Sequence, residues 1–183
     1  SVGHHLVMVY PGERTVLFKR HGVQIDLDGL FINHLLNRGA AALRAAGAGA
    51  GRIDHPQGTA VVGSPPAEGV WEVRVEDPRN PARTLARVKL AAGKVLTAGV
   101  RPREFVREGK RFHDVIDPQT GKPATYARAG VLRLPDDPAL DLPAAVLLLL
   151  PTQEALELVE GVPGAACLIL DREGEKHASK GWQ

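Results

Sequence analysis

A histidine and two carboxylates flank a proline turn in the second half of the chain. His113-Asp114 precedes a short β-branched run, which leads into Asp117-Pro118, and Thr120-Gly121 follows. Proline fixes φ and glycine accepts left-handed geometry, so this spacing predicts a strand that ends in a rigid turn. Polar side chains at the end of a strand are well placed to reach a ligand.

Two interpretations of this cluster are open at the level of sequence. In the functional one, His113 is a general base or a nucleotide ligand, and Asp117 binds a donor group at the turn. In the structural one, Asp117 caps its own Asp-Pro turn, and His113 is a surface residue of the strand. Spacing alone favours the structural interpretation.

Asp141 is the second position at which chemistry is plausible. It precedes Pro143 and a run of apolar residues that ends at Leu150. A carboxylate at the mouth of a helix can bind a hard cation. The alternative is an ordinary helix N-cap with Pro143 in the first turn, and the spacing alone favours this alternative.

Composition and charge narrow the class of protein. A chain of 183 residues predicts one domain over residues 1–183, and a net charge of +2 without a basic block gives no case for nucleic acid binding.

The single cysteine, Cys167, lies in an apolar run and is interpreted as a core residue, because one cysteine forms neither an internal disulfide nor a Cys-based zinc site. Ser1–Tyr10 has no signal-peptide pattern, and Ala144–Leu150 is too short to span a membrane.

Hydrophobic periodicity predicts an α+β fold, with an antiparallel-rich sheet and about three helices. Val70–Glu76 and Thr84–Leu90 alternate between apolar and polar residues, as half-buried strands do. The other predicted strands are His5–Tyr10, Arg14–Lys19, Val23–Leu27, Lys94–Ala98, Gly130–Leu134 and Cys167–Leu170. The predicted helices are Leu30–Ala46, with Asp28 as N-cap and Gly47 as stop, then Leu142–Leu150 and Thr152–Glu160.

Taken in order, these segments resemble the FAD:protein FMN transferase (ApbE) family. Val23–Leu30 is similar to the family's D-L-G-G-I-A-K-G segment, and Trp71–Pro78 is similar to its W-x-V-x-I-E-D-P strand. Thr97–Gly99 is similar to its T-S-G, and Val115–Pro123 is similar to its H-x-x-D-P-x-T-G-x-P signature. Ala139–Pro151 is similar to its D-A-L-S-T-A helix, and Val162–Ala178 is similar to its closing hairpin. The resemblance covers nearly the whole chain from Val9. It implies the C-terminal portion of the family fold, and we expect the family's N-terminal portion to have no counterpart in this chain.

The resemblance also implies a chemistry. Members of the family hold FAD and Mg²⁺ and transfer FMN to a threonine or serine of a partner protein. A histidine assists the attacking hydroxyl, and the metal steadies the pyrophosphate. Carried over position by position, the resemblance implies catalytic positions at His113 (shifted by one) and Asp114, nucleotide-binding positions at Asp117, Pro118, Thr120 and Gly121, and metal ligands at Asp141 and the backbone of Phe31.

Several positions depart from the family pattern. Asp114 stands where the family has its histidine, and a one-residue step along a strand turns a side chain to the other face, so His113 replaces it only across a bulge. Ala145 stands at the hydroxyl ligand, and Ile32 stands at the family's lysine.

These observations lead to three hypotheses. The leading one is a degenerate member of the family, with weak or no catalysis, that acts by binding a protein or a nucleotide. The second is an active Mg²⁺-dependent FMN transferase with His113 as base and Asp141 on the metal. The third is a purely structural subunit. If the family site is retained, FAD and Mg²⁺ are the expected cofactors. If it is not retained, no cofactor is expected. The expected partner is a flavin acceptor or a complex subunit, and the resemblance favours the bacterial periplasm.

Overall fold

The predicted α+β fold is confirmed by a computed structural model, which describes residues 4–65, 69–77, 80–99, 105–113 and 115–182. The strands are β1 (Val7–Tyr10), β2 (Thr15–Phe18), β3 (Gly51–His55), β4 (Gly58–Val62), β5 (Trp71–Asp77), β6 (Asn80–Leu90), β7 (Gly93–Gly99), β8 (Phe105–Arg107), β9 (Lys110–Phe112), β10 (Ala127–Leu134), β11 (Ala166–Asp171) and β12 (Lys176–Ala178). The helices are α1 (Asp28–Ala45), α2 (Val146–Leu149) and α3 (Thr152–Glu160). Two positions used in the sequence comparison, Pro78 and Asp114, lie outside the described residues.

A six-stranded antiparallel sheet organises the chain, with strand order β12-β11-β10-β7-β4-β3. Val131 on β10 lies opposite Thr97 on β7 and Leu168 on β11, and the next residue, Leu132, lies opposite Leu96 and Cys167. Because side chains alternate between the faces of a sheet, Val131 and Leu132 enter two different cores.

The three helices cover one face of this sheet. Leu36 of α1, Leu147 of α2 and Val159 of α3 are fully buried together with Leu96 and Leu132 of the sheet. We call this cluster the helical-face core. Aliphatic side chains fill it, as the aromatic content of 4% requires.

The β5–β6 hairpin covers the opposite face. Val73, Val75 and Val88 are buried there against Val131 and Leu168 of the sheet. Val73 and Val75 lie two positions apart on β5, which is the period-two alternation seen in the sequence. The predictions for β5 and β6 are therefore confirmed. Among the described residues, no helix has the length and apolar character needed to cross a membrane.

Three predictions for secondary structure are wrong. Val23–Leu27 forms no regular element, and Leu27 is exposed without a strand partner among the described residues. The predicted helix Leu142–Leu150 is only the four residues of α2, because the turn before it is tighter: the Val146 and Leu147 N–H groups donate to carbonyls three residues back. The strand predicted before Asp117 is a single bridge between Ile116 and Pro123.

The prediction for α1 holds except at its start. The helix begins at Asp28 itself, with Leu27 in the N-cap position, so Asp28 is not the cap. Gly47 has φ of +77° immediately after the helix, as a stop signal requires. Among the large apolar residues of this helix, Leu36 is buried, whereas Phe31 and Leu35 are 54% and 39% exposed.

Candidate functional site

The Asp117 carboxylate is used by its own turn. One oxygen accepts the Gln119 N–H at 2.8 Å, and the other accepts the Thr120 hydroxyl at 2.7 Å. The Gly121 N–H donates to the Asp117 carbonyl at 2.8 Å, and Gly121 has φ of +67°, which favours glycine. Asp117 therefore caps its own turn, as the structural interpretation predicted. The use of Asp117, Pro118, Thr120 and Gly121 to bind a nucleotide stays a prediction.

These bonds lower the pKa of Asp117 from its ordinary 3.8, with the Thr120 hydroxyl as the largest cause and the Gln119 N–H as the second. We therefore expect Thr120→Val to move the pKa of Asp117 back up towards 3.8. An NMR pH titration of the Asp117 carboxyl carbon measures this. Thr125→Val, at an exposed threonine, is the matched control and is expected to leave the midpoint in place. Equal midpoints in the parent and Thr120→Val would contradict the assigned cause.

His113 is tied to the backbone on the far side of this turn. Its Nε2 lies 2.9 Å from the Ala124 carbonyl oxygen, to which it donates. Its Nδ1 is buried and has no hydrogen-bond partner among the described residues. His113 lies beyond the end of β9 and is half-buried, so the interpretation as a surface strand residue is wrong.

This contact constrains the chemistry of His113. A neutral imidazole that donates from Nε2 carries its lone pair on Nδ1. Since Nδ1 is buried, His113 as placed presents no basic nitrogen to a hydroxyl arriving from solvent. The role of His113 as a base, and that of the undescribed Asp114, stay predictions.

Asp141 is positioned by α1 and not by the helix that follows it. The Asn33 amide nitrogen donates to Asp141 Oδ1 at 2.7 Å and to the Leu140 carbonyl at 3.0 Å. Helix α2 begins at Val146, with Ala145 in the N-cap position and no side-chain cap. The N-cap interpretation of Asp141 is therefore wrong. The Asp141 carboxylate is exposed, which leaves it open to a ligand.

A polar face of α1 holds the whole segment that ends at Asp141. Besides Asn33, the Asn37 amide donates to the Pro138 carbonyl at 3.3 Å, and Arg44 forms an ion pair with Asp136. Residues four and seven positions apart share one face of a helix, so these side chains act along one line. Sequence reasoning missed this face. The Asn33–Asn37 spacing within an apolar helix was the available signal.

Lys94 of β7 contacts the same segment from the side of the sheet. It is 3% exposed, and its ammonium donates to Asn37 Oδ1 at 2.6 Å and to the Asp137 carbonyl at 3.3 Å. Burial lowers the pKa of Lys94, and the carboxylates of Asp136, Asp141 and Asp137 partly oppose that change. Sequence reasoning also missed Lys94, because strand alternation carries no sign of a buried charge.

The remaining positions from the family comparison fall as follows. Phe31 lies in the first turn of α1, and its backbone carbonyl as a metal ligand stays a prediction. Ile32, at the family's lysine position, packs against the helical-face core. Val115 and Leu142 also pack against that core, so the segments before Asp117 and after Asp141 share one support.

Oxygen donors suited to a hard cation meet at Asp141. The exposed carboxylate lies beside the Leu140 carbonyl, and the Asn33 amide presents its nitrogen to both, while its Oδ1 is buried without a hydrogen-bond partner among the described residues. Carboxylate, carbonyl and amide oxygens are the ligands that Mg²⁺ and Ca²⁺ take in proteins. The residues at Asp141 therefore fit the divalent cation that the family resemblance implies.

A second group of potential metal ligands lies on the β11–β12 hairpin. Asp171, Glu175 and His177 bring ligand atoms within 4.8 Å of one another. Asp171 Oδ1 already accepts the N–H groups of Gly174 and Glu175, and Oδ2 lies 2.6 Å from His177 Nε2. These bonds also lower the pKa of Asp171, with His177 as the largest cause. A hairpin cap explains the group without a metal.

Cys167 is inert, as its sequence context predicted. It is fully buried on β11, and burial raises its pKa to about 11. Its backbone N–H donates to the Ser179 hydroxyl at 2.9 Å. A thiol with so high a pKa is not a nucleophile at neutral pH.

Comparison with known proteins identifies the family. Residues 1–169 match the sequence profile of the ApbE family, and the chain belongs to that family. An FAD:protein FMN transferase of Treponema pallidum (strain Nichols) is 27% identical over 177 residues, which are 91% of this chain and 49% of the relative. This chain thus spans about half the length of that curated relative.

Two solved structures share the fold. The ApbE protein of Thermotoga maritima superposes with a TM-score of 0.83 at 25% identity, over 97% of this chain and 58% of that one. The flavinyl transferase ApbE of Pseudomonas stutzeri in its apo form gives a TM-score of 0.79 at 21% identity, over 98% of this chain and 56% of that one.

Proposed function

We propose that this chain binds a flavin dinucleotide together with Mg²⁺ and transfers FMN weakly or not at all. Asp141 holds the cation, and the turn at Asp117, Pro118, Thr120 and Gly121 contacts the nucleotide. FAD is the proposed nucleotide because the curated relative is named for it. The contact between His113 Nε2 and the Ala124 carbonyl supports weak or absent transfer, since it leaves the basic nitrogen of His113 buried.

An active Mg²⁺-dependent FMN transferase, which modifies a threonine or serine of a partner protein, is the second candidate. The exposed Asp141 carboxylate, held at 2.7 Å by Asn33, supports it because this carboxylate is open to a cation. In this candidate His113 leaves Ala124 and turns its ring before it accepts a proton.

A protein partner is part of either proposal. Large apolar side chains are exposed along one stretch near the start of the described residues: Val9, Val16, Leu17, Phe18, Leu27 and Phe31. Such side chains mark a protein–protein contact where they form a continuous patch, so they support a protein partner and also fit a purely structural subunit. We further propose the bacterial periplasm as the compartment, on the family resemblance.

Thermal unfolding with FAD and Mg²⁺ tests the proposal. At about 100 times the dissociation constant, ligand binding adds about 2.7 kcal/mol to the free energy of unfolding, so we expect Tm to rise by about 5–10 °C. Asp141→Ala is expected to remove the Mg²⁺-dependent part of the rise. Glu154→Ala, at an exposed carboxylate on α3, is the matched control and is expected to keep it.

A transfer assay separates the two candidates. FMN linked to a threonine-containing acceptor is followed by in-gel flavin fluorescence, and we expect at most a trace of Mg²⁺-dependent signal from this chain. A signal that Asp141→Ala abolishes would establish the active enzyme instead. No change in Tm with excess FAD and Mg²⁺ would overturn both candidates and leave the structural subunit.

A further inference from the structure

The Asn33 amide leaves one of its polar atoms unused. The side chain is 1% exposed, and its nitrogen makes two good hydrogen bonds, to Asp141 and to Leu140. Its oxygen is buried and accepts no hydrogen bond from any described residue. A buried acceptor without a donor costs about 1–3 kcal/mol, so the contacts with Asp141 and Leu140 do not satisfy the whole amide.

Rotation of the amide exchanges its two ends. Turned by half a revolution, Asn33 places its oxygen where the nitrogen lies now, 2.7 Å from Asp141 Oδ1 and 3.0 Å from the Leu140 carbonyl oxygen. The turned amide oxygen and each of these two oxygens repel one another when no cation lies between them. In an octahedral Mg²⁺ shell with bonds of about 2.1 Å, neighbouring oxygens lie about 3.0 Å apart. The 3.0 Å separation from the Leu140 carbonyl oxygen equals this neighbour spacing, and the 2.7 Å separation from Asp141 Oδ1 is shorter than it.

We propose that Asn33 is a ligand of the divalent cation at Asp141 and that its amide has two positions. Without the cation, the amide nitrogen faces Asp141 and holds the carboxylate. With the cation, the amide oxygen faces the metal beside Asp141 and the Leu140 carbonyl. The inference rests on the proposed function, because it concerns the same cation.

This role accounts for a missing oxygen at the site. The family resemblance places a hydroxyl ligand at Ala145, which has no side-chain oxygen. Asn33 supplies an oxygen from α1 instead of from the segment before α2. It acts across 108 positions of sequence on Asp141, so no local motif announces it.

Mn²⁺ binding to the protein without FAD tests the inference, followed by water proton relaxation and by Tm. Asn33→Asp places two carboxylates face to face, so we expect a lower Tm without cation and a Mn²⁺ affinity about 10-fold higher, since affinity rises with ligand charge. Asn33→Leu removes the oxygen at similar volume and is expected to lose at least about 10-fold in Mn²⁺ affinity, since a ligand is removed.

Asn37→Asp is the matched control. It adds the same charge one turn along the same face of α1, where the side chain contacts Lys94 and Pro138 and not Asp141. We expect its Mn²⁺ affinity to stay within about 3-fold of the parent, as a charge outside the ligand shell allows. The hairpin group at Asp171, Glu175 and His177 is unchanged in every variant, so differences between variants report on the Asp141 site.

The outcomes separate the two proposals. If Asp141→Ala keeps the parent's Mn²⁺ affinity, the cation site of the proposed function is wrong, and this inference falls with it. If Asp141→Ala loses the affinity while Asn33→Leu keeps it, only the inference about Asn33 is overturned. Equal effects of Asn33→Asp and Asn37→Asp would likewise reduce Asn33 to an anchor of Asp141.

Discussion

Replacement of Leu147 by alanine is expected to lower the free energy of unfolding by about 3–5 kcal/mol, a large fraction of the total for a domain of this size. Leu147 is fully buried in the helical-face core. A Cβ atom on Gly130 would lie 2.7 Å from the Leu147 Cβ, so α2 packs directly on the backbone of β10. Because of this close approach, the neighbouring residues have little freedom to fill the cavity that Leu147→Ala leaves. The expected loss of unfolding free energy is therefore in the upper range for such substitutions.

Urea denaturation measures the loss, and thermal unfolding should show Tm lower by about 10 °C. Leu158→Ala is the matched control, because the same atoms are removed from a side chain that is 41% exposed on α3. We expect that variant to lose less than about 1 kcal/mol. Comparable losses in the two variants would mean that α2 is not part of the cooperative core.

Local patterns account for what the sequence predicted correctly. The turn at Asp117 is built from bonds among residues at most five positions apart, so its residue types suffice to specify it. The strands β5 and β6 were predictable because one face is buried and the other is solvated, so apolar and polar residues alternate along them.

The strand β4, which was missed, lacks this signal. All five residues of β4, Gly58–Val62, are buried, so apolar and polar residues do not alternate. The strand also contains Gly58 and Ala60, two residue types that are depleted in strands. Gly58 is required there, because a Cβ would lie 2.9 Å from the Val95 carbonyl oxygen and as close to Leu96.

The candidate site was only partly predictable, for a different reason. Asp141 was found because a carboxylate before an apolar run is visible locally. The groups that hold it and the segment before it come from elsewhere: Asn33 of α1 bonds Asp141, and Lys94 of β7 bonds the Asp137 carbonyl. Such contacts depend on the tertiary fold, so a single sequence contains them only as unexplained polar residues in apolar elements.

Lys94 is the second position at which a large effect is expected. Lys94→Ala removes the donor from Asn37 Oδ1 and from the Asp137 carbonyl and leaves a cavity beside β7, so we expect a loss of about 2–4 kcal/mol near neutral pH. Lys94→Met keeps the volume of the aliphatic stem and is expected to recover part of that loss. Lys89→Ala, at an exposed lysine on β6, is the control and is expected to stay within about 0.5 kcal/mol of the parent.

The pH dependence of stability isolates the charge on Lys94. Because burial lowers the pKa of Lys94 in the folded state from 10.5, the unfolded chain binds more protons in the window below that value. The free energy of unfolding of the parent should therefore contain a part that rises with pH through this window and levels off above 10.5. Lys94→Met has no ammonium to titrate, so its curve should lack this rise, whereas the curve of Lys89→Ala should keep it. Parallel curves for the parent and Lys94→Met would show that the three nearby carboxylates fully compensate the burial of the charge.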